Sequence, residues 1–175
     1  MIVLDLFCGL GGFSSVFRER GHRVIGVDIV PPCDIQADVG RLPFSTEFRP
    51  DVILASPPCD EFSRESMPWC RTGKVPSVDL VVAAKRAIDT LSPRWWVIEN
   101  VRGAIRYLVP ILGPVRERVG SRYLWGNFPL FFHAGHRSAQ GKERLGPQIP
   151  NRKRMRSMIP RTISDGLCRV IEDAK

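Results

Sequence analysis

Between Ile2 and Gly21 the chain changes its hydrophobic period across a glycine-rich turn, and few folds accept such an opening. Ile2 to Phe7 is an apolar run interrupted only by Asp5, as expected of a strand buried on both faces. Cys8-Gly9-Leu10-Gly11-Gly12 follows as a tight turn, and Phe13 to Arg20 reads as an amphipathic helix stopped by Gly21. His22 to Ile29 is a second strand ending near Asp28, and Asp34 to Val39 is a third. Asp51 to Ser56 is an apolar fourth that stops at Pro57-Pro58, and Arg94 to Val101 is a fifth. Pro31 and Pro32 leave no place for a helix between the second and third strands. Residues 59 to 78 are expected to form a polar loop. Asp79 to Leu91 sets Leu80, Ala83, Ala84, Ala87, Ile88 and Leu91 at helical spacing, so one helix face is expected to pack on the sheet. The fold class is α/β: a mostly parallel sheet with helices on both faces and ligands at the carboxyl ends of the strands. After Val101 the pattern weakens. Arg122 to Phe132 suggests further strand, residues 133 to 157 are polar and basic, and Ser164 to Ala174 suggests a closing helix.

A length of 175 residues suits a single domain spanning 1–175, and no apolar run approaches the roughly 20 residues needed to cross a bilayer. Asp5 and the lack of a basic segment before the first apolar run speak against a signal peptide, so a cytoplasmic location is expected. Five widely spaced cysteines, without a Cys-x-x-Cys pair, argue against a disulfide framework and a zinc site. The formal charge of +8 favours a polyanionic partner, nucleic acid before membrane, with a merely solubilising surface as the alternative.

The chemistry should gather at the strand ends. The turn Phe7 to Gly12 lacks the spacing of a dinucleotide or phosphate-loop fingerprint, yet it can bring backbone N–H groups close to a ligand. Asp28, at the end of the second strand, suits a ribose diol, because a carboxylate accepts hydrogen bonds from adjacent hydroxyls; a simple turn-forming Asp is the alternative. Pro57-Pro58 fixes the backbone beyond a buried strand and presents Cys59 where a nucleophile would be wanted, against the alternative of a structural cysteine. Glu99, at the end of the fifth strand, places a carboxyl beside that edge.

These residues resemble one family, the cytosine-C5 DNA methyltransferases. The first-strand segment is similar to its opening methyl-donor motif, Pro57-Pro58-Cys59 with Phe62-Ser63 to its catalytic Pro-Cys motif, and Glu99-Asn100-Val101 is identical to its Glu-Asn-Val motif. The resemblance implies a Rossmann-like, S-adenosylmethionine-dependent methyltransferase fold. It implies a donor site of Phe7, Gly9, Leu10, Gly11, Asp28, Ile29, Asp38, Val39, Pro58 and Leu80, and no metal. It further implies that Cys59 attacks C6 of a flipped cytosine while Glu99 engages the ring, so that C5 accepts a methyl group from S-adenosylmethionine. Arg116-Glu117-Arg118 resembles the family's Gln-x-Arg-x-Arg motif, with Pro114 in place of Gln, which implies that Arg116 and Arg118 support the base and the acid. Met158-Ile159-Pro160 with Ile163 and Leu167 resembles the last motif, which packs against the first, though its Gly-Asn pair is missing.

About forty residues separate Arg118 from Ile159, where relatives carry a target-recognition domain, and 131–157 is a short basic segment in its place. Specific DNA interfaces take roughly 1,000 to 2,500 Å2 of protein surface, so a short sequence context and salt-sensitive binding are expected unless a second subunit or accessory specificity protein contributes. Arg64, Arg71, Lys74, Arg152, Lys153, Arg154 and Arg156 are the candidate phosphate contacts, and Trp69 a candidate base-stacking ring. His133 and His136 have ligand spacing but flank Gly135 in a polar run, which favours a loop without metal. Two rivals remain at this level: the same chemistry on RNA or on a modified cytosine, and a silent methyltransferase-like module that binds nucleic acid.

Overall fold

A computed structural model describes residues 1–45, 47–65, 67, 73–131 and 158–174. Seven strands form one sheet: β1 (Ile2–Leu6), β2 (Arg23–Asp28), β3 (Ile35–Gln36), β4 (Val52–Ala55), β5 (Trp95–Val101), β6 (Glu117–Val119) and β7 (Arg122–Gly126). Their order across the sheet is β3-β2-β1-β4-β5-β7-β6. The first five are parallel, whereas β7 runs antiparallel to both β5 and β6. The order reverses beside β1 and β4, and in sheets of this kind the crevice at that switch point is where ligands bind.

The continuous apolar runs of β1, β4 and β5 alternate between two buried faces. Val3, Val52, Leu54 and Val97 meet α1 (Ser15–Glu19) and the last helix, whereas Leu4, Leu6, Ile53, Ala55 and Ile98 meet the helix Asp79–Leu91. Residues 59–78 are not wholly a loop. They contain α2 (Asp60–Glu65), nucleated by two acids in its first turn and anchored by Phe62, which is 2% exposed. The helix expected over Asp79–Leu91, α3, forms with those bounds, but its buried side chains are Val81, Ala84, Ala87, Ile88 and Leu91. Leu80 belongs instead to the exposed edge at 43% exposure, because it lies in the first turn beyond the sheet's carboxyl end.

A 3-10 turn, Arg102–Ala104, and α4 (Ile105–Leu112) follow β5, and they cover Trp125 and Tyr123 of the β6–β7 hairpin. Trp95 and Trp96 are both half-buried, so the indole of the deep core is Trp125. The closing helix α5 (Arg161–Asp173) begins three residues earlier than the sequence pattern suggests. It packs on α1 through a buried hydroxyl: Ser164 Oγ donates to the Phe13 carbonyl at 2.7 Å and accepts from the Val16 N–H at 3.3 Å. Gly12 permits this closure, since a Cβ there would lie 3.2 Å from the Ile159 carbonyl oxygen. No described helix is long and apolar enough to cross a membrane.

Candidate active site

Four strand ends meet on the carboxyl edge of the sheet. β1 ends in the turn Phe7–Gly12, where Phe7, Gly9 and Gly11 all have positive φ (59°, 55° and 74°). Glycine accepts that conformation freely, while a phenylalanine pays on the order of 1 kcal/mol or more for it, so the turn is held by its surroundings. The holding group is Asp28 at the end of β2: its Oδ2 accepts the Gly9 N–H at 2.9 Å and its Oδ1 accepts the Val30 N–H at 2.9 Å. Asp38 caps the short turn Val39–Arg41, accepting the Gly40 N–H at 2.8 Å, and Val39 is buried under it. Ile29 is 64% exposed beside Asp28. A Cβ added to Gly11 would meet nothing within 4 Å, so there is open space above the turn.

Gly9, Leu10 and Gly11 also line a cavity of about 570 Å3 that extends towards Arg18 of α1 and Asp34. Asp28, Asp38, Pro58 and Leu80 lie outside its lining, so the cavity adjoins the predicted donor groove and does not coincide with it. Behind the turn, Asp5 is fully buried and accepts the Ser14 hydroxyl at 2.6 Å through Oδ2. Its Oδ1 has no partner among the described residues, and burial raises the carboxyl to about 7.

At the ends of β4 and β5 the nucleophile and acid candidates are fixed by their own neighbours. Ser56 Oγ donates to Glu99 Oε2 at 2.7 Å, and the Asn100 amide donates to the Pro57 carbonyl at 3.2 Å, so two bonds tie the Pro-Pro-Cys segment to β5. Cys59 is half-buried, and its carbonyl accepts the Ser63 N–H at 2.8 Å in the first turn of α2. Burial pushes the Cys59 thiol up, the Ser63 hydroxyl opposes that, the nearby Glu99 carboxylate adds to it, and the Arg122 guanidinium lowers it again. Glu99 is 1% exposed, with Arg122 Nη1 at 2.9 Å from its Oε1.

The arginine at the acid is therefore Arg122, not Arg116 or Arg118. β7 lies between β5 and β6, with Val101 opposite Arg122 and Arg118 opposite Tyr123, so Arg118 of β6 stands a further strand away, about 10 Å from β5, and Arg116 just precedes that strand. Arg116 Nε donates to the Phe128 carbonyl at 3.3 Å, and Arg118 Nε donates to the Gly120 carbonyl at 2.9 Å with its guanidinium over the Tyr123 ring. The missed signal was Val119-Gly120-Ser121-Arg122, a two-residue hairpin turn with Gly120 at φ 60°. Arg122 Nη2 also donates to the Met158 carbonyl at 3.2 Å, joining the acid to the start of α5.

The structure thus brings Cys59 and Glu99 together and sets Phe7, Gly9, Leu10, Gly11, Asp28, Ile29, Asp38, Val39, Pro58 and Leu80 along the same edge. Arg64 is exposed there, with Nε 3.4 Å from the Asp60 carbonyl, and Lys74 is exposed. Trp69, Arg71, His133, His136, Arg152, Lys153, Arg154 and Arg156 lie outside the described residues. Among the described residues, His22, Cys168 and Glu172 have metal-ligand spacing at the opposite end of the sheet. His22 is satisfied there without an ion: Nε2 lies 2.8 Å from Glu172 Oε1 and Nδ1 3.4 Å from the terminal amine, a clasp that ties α5 to β2.

A parallel sheet with one inserted antiparallel strand, a glycine turn after β1 and a Cys–Glu–Arg cluster after β4 define a methyltransferase-type α/β domain. Residues 1–107 match the family model of the C-5 cytosine-specific DNA methylases, and the chain belongs to that family. It is 32% identical over 139 residues to the type II methyltransferase M.AplI of Arthrospira platensis, covering 70% of this chain and 38% of that protein. It is 30% identical over 123 residues to the type II methyltransferase M.DdeI of Desulfomicrobium norvegicum, covering 60% and 29%. The chain thus spans less than two fifths of the length of these two relatives. Among solved structures, a prophage-encoded E. coli protein assigned as a DNA modification methyltransferase shares the fold, with a TM-score of 0.51 at 22% identity over 72% of this chain and 46% of that one.

Proposed function

We propose that this chain transfers the methyl group of S-adenosylmethionine to C5 of cytosine in DNA, through a transient bond between Cys59 Sγ and C6. The observation that carries this reading is the junction of β4 and β5, where half-buried Cys59 follows a segment tied by Ser56 and Pro57 to buried Glu99, itself paired with Arg122, and to Asn100. Cytosine C5 is a poor nucleophile while the ring is aromatic. Attack of the Cys59 thiolate at C6 breaks that aromaticity, and Glu99, hydrogen-bonded to N3 and the exocyclic amine, stabilises the charge developing on the ring. Arg122 holds Glu99 Oε1, so the carboxyl keeps one orientation as the base enters. After methyl transfer, solvent water takes the C5 proton and the C6–S bond breaks to release the Cys59 thiolate, which restores the ring.

The residues after β1 and β2 fit a nucleoside-containing donor: there is open space above Gly11, and exposed Ile29 and Leu80 offer apolar cover for an adenine. When bound there, S-adenosylmethionine supplies an electrophilic methyl on a sulfonium. Asp28 carries two N–H bonds and retains lone pairs for ribose hydroxyls. The partner is DNA with its target base turned out of the helix, and the +8 charge favours its backbone. A second subunit or accessory protein would extend sequence recognition. Isotope-labelled donor offered with DNA and with RNA tests the reading: label is expected in DNA cytosine, exclusive labelling of RNA would move the substrate class, and no labelling of either supports the silent binding module.

A further inference from the structure

The two oxygens of Glu99 have partners of different chemistry. Oε1 accepts from Arg122 at 2.9 Å, and a guanidinium only donates, so a proton on Oε1 would face a donor. Oε2 meets Ser56 Oγ at 2.7 Å, and a hydroxyl either donates or accepts by rotating. Glu99 is 1% exposed, which leaves little water to repair a mismatch. Ser56 itself is placed without freedom to drift. It follows Ala55, which pairs with both Leu6 and Ile98, its N–H reaches the Leu6 carbonyl at 3.3 Å, and Pro57 succeeds it.

We infer that Ser56 is a positioning residue: its hydroxyl holds Oε2 while Arg122 holds Oε1, and this pair of bonds decides which oxygen of the Glu99 carboxylate faces cytosine N3. This rests on the proposed reaction. Before the base arrives, the Ser56 hydroxyl donates to Oε2 and Arg122 donates to Oε1. When the ring enters, N3, protonated from solvent as the thiolate adds to C6, donates to Oε2, Oε1 accepts from the exocyclic amine beside Arg122, and the serine keeps its bond to Oε2. No proton passes through the serine, and every buried polar group keeps a partner at each stage.

The test measures single-turnover methylation of cytosine-containing DNA by the full chain and its Ser56→Ala, Ser56→Thr, Glu99→Gln and Ser56→Ala/Glu99→Gln variants, with donor affinity, DNA affinity and melting temperature recorded for each. Ser56→Ala is expected to slow methyl transfer about 10- to 100-fold, the effect of one hydrogen bond to a charged group, with both affinities unchanged. Ser56→Thr keeps the hydroxyl and should restore the rate. In the Glu99→Gln background, Ser56→Ala should cost nothing further, because the serine acts through the acid. A Ser56→Ala rate matching wild type, an additive loss in the double variant, or failure of folded Ser56→Thr to restore the rate overturns the inference. Adduct formation with DNA carrying C5-fluorinated cytosine separates the two levels. No adduct from the wild-type chain sinks the proposed reaction and this inference with it, whereas a wild-type adduct and a slow Glu99→Gln beside a normal Ser56→Ala sink the serine's role alone.

Discussion

Opposing effects act on the Cys59 thiol, and burial, the largest of them, leaves it raised. Burial and the Glu99 carboxylate push its thiol up, while the Ser63 hydroxyl and Arg122 pull it down. Glu99→Gln removes a like charge and frees Arg122, so the thiol must ionise more readily. At a fixed pH of about 8 the variant is therefore expected to be alkylated at Cys59 faster than wild type, several-fold by peptide mapping with iodoacetamide, even as methyl transfer falls. Slower alkylation would mean that Glu99 acts as a base towards the thiol. Asp5 makes an opposite kind of claim, about stability. Its folded value of about 7 lies above the ordinary 3.8, so between these limits the folded state keeps a proton that the unfolded chain has lost. Stability must then fall as pH rises through that window. Relative to wild type, Asp5→Asn should gain on the order of a few kcal/mol between about pH 5 and about pH 8 in urea unfolding, and a pH-independent difference would show that Asp5 ionises normally.

Elements whose burial is dictated by local pattern were legible in the sequence. β1, β4 and β5 are buried on both faces and therefore spell continuous apolar runs, and α3 carries helical spacing along its whole length. α2 was not legible, because six polar-rich residues with one buried ring, Phe62, do not display a period. The β6–β7 hairpin hid its partner choice in the same way: three residues, Glu117–Val119, could have lain against β5 by composition, and the turn at Gly120-Ser121 assigned β7 there instead. The site was legible to the same extent. Cys59, Glu99 and Asp28 end strands that the sequence marks, whereas Arg122 reaches the acid only through hairpin register. Arg122→Ala should strand a buried carboxylate and cut methyl transfer by about 10²-fold or more, while Arg118→Ala, over the Tyr123 ring on the outer strand, should leave it near wild type. Equal losses in the two variants would return the motif to β6.

Over the whole molecule, chain closure and chemistry share one path. α5 and the residues leading into it rest on Gly12 and Phe13 through Ile159 and Ser164, and the Met158 carbonyl, three residues before α5, holds the same arginine that holds Glu99. The donor turn, the acid and the closing helix are thus braced against each other across the sheet, in a chain whose net charge of +8 suits a phosphate backbone. Everything functional in this arrangement converges on whether Cys59 bonds to the base. The direct measurement is denaturing electrophoresis and mass mapping after incubation of the chain with S-adenosylmethionine and duplex DNA carrying C5-fluorinated cytosine, in which the C5 substituent cannot leave as a proton. A donor-dependent adduct is expected on the peptide containing Cys59, and none in Cys59→Ser, which should still bind the donor. An adduct on another cysteine, or methyl transfer that survives in Cys59→Ser, would contradict the bond from Cys59 to the base.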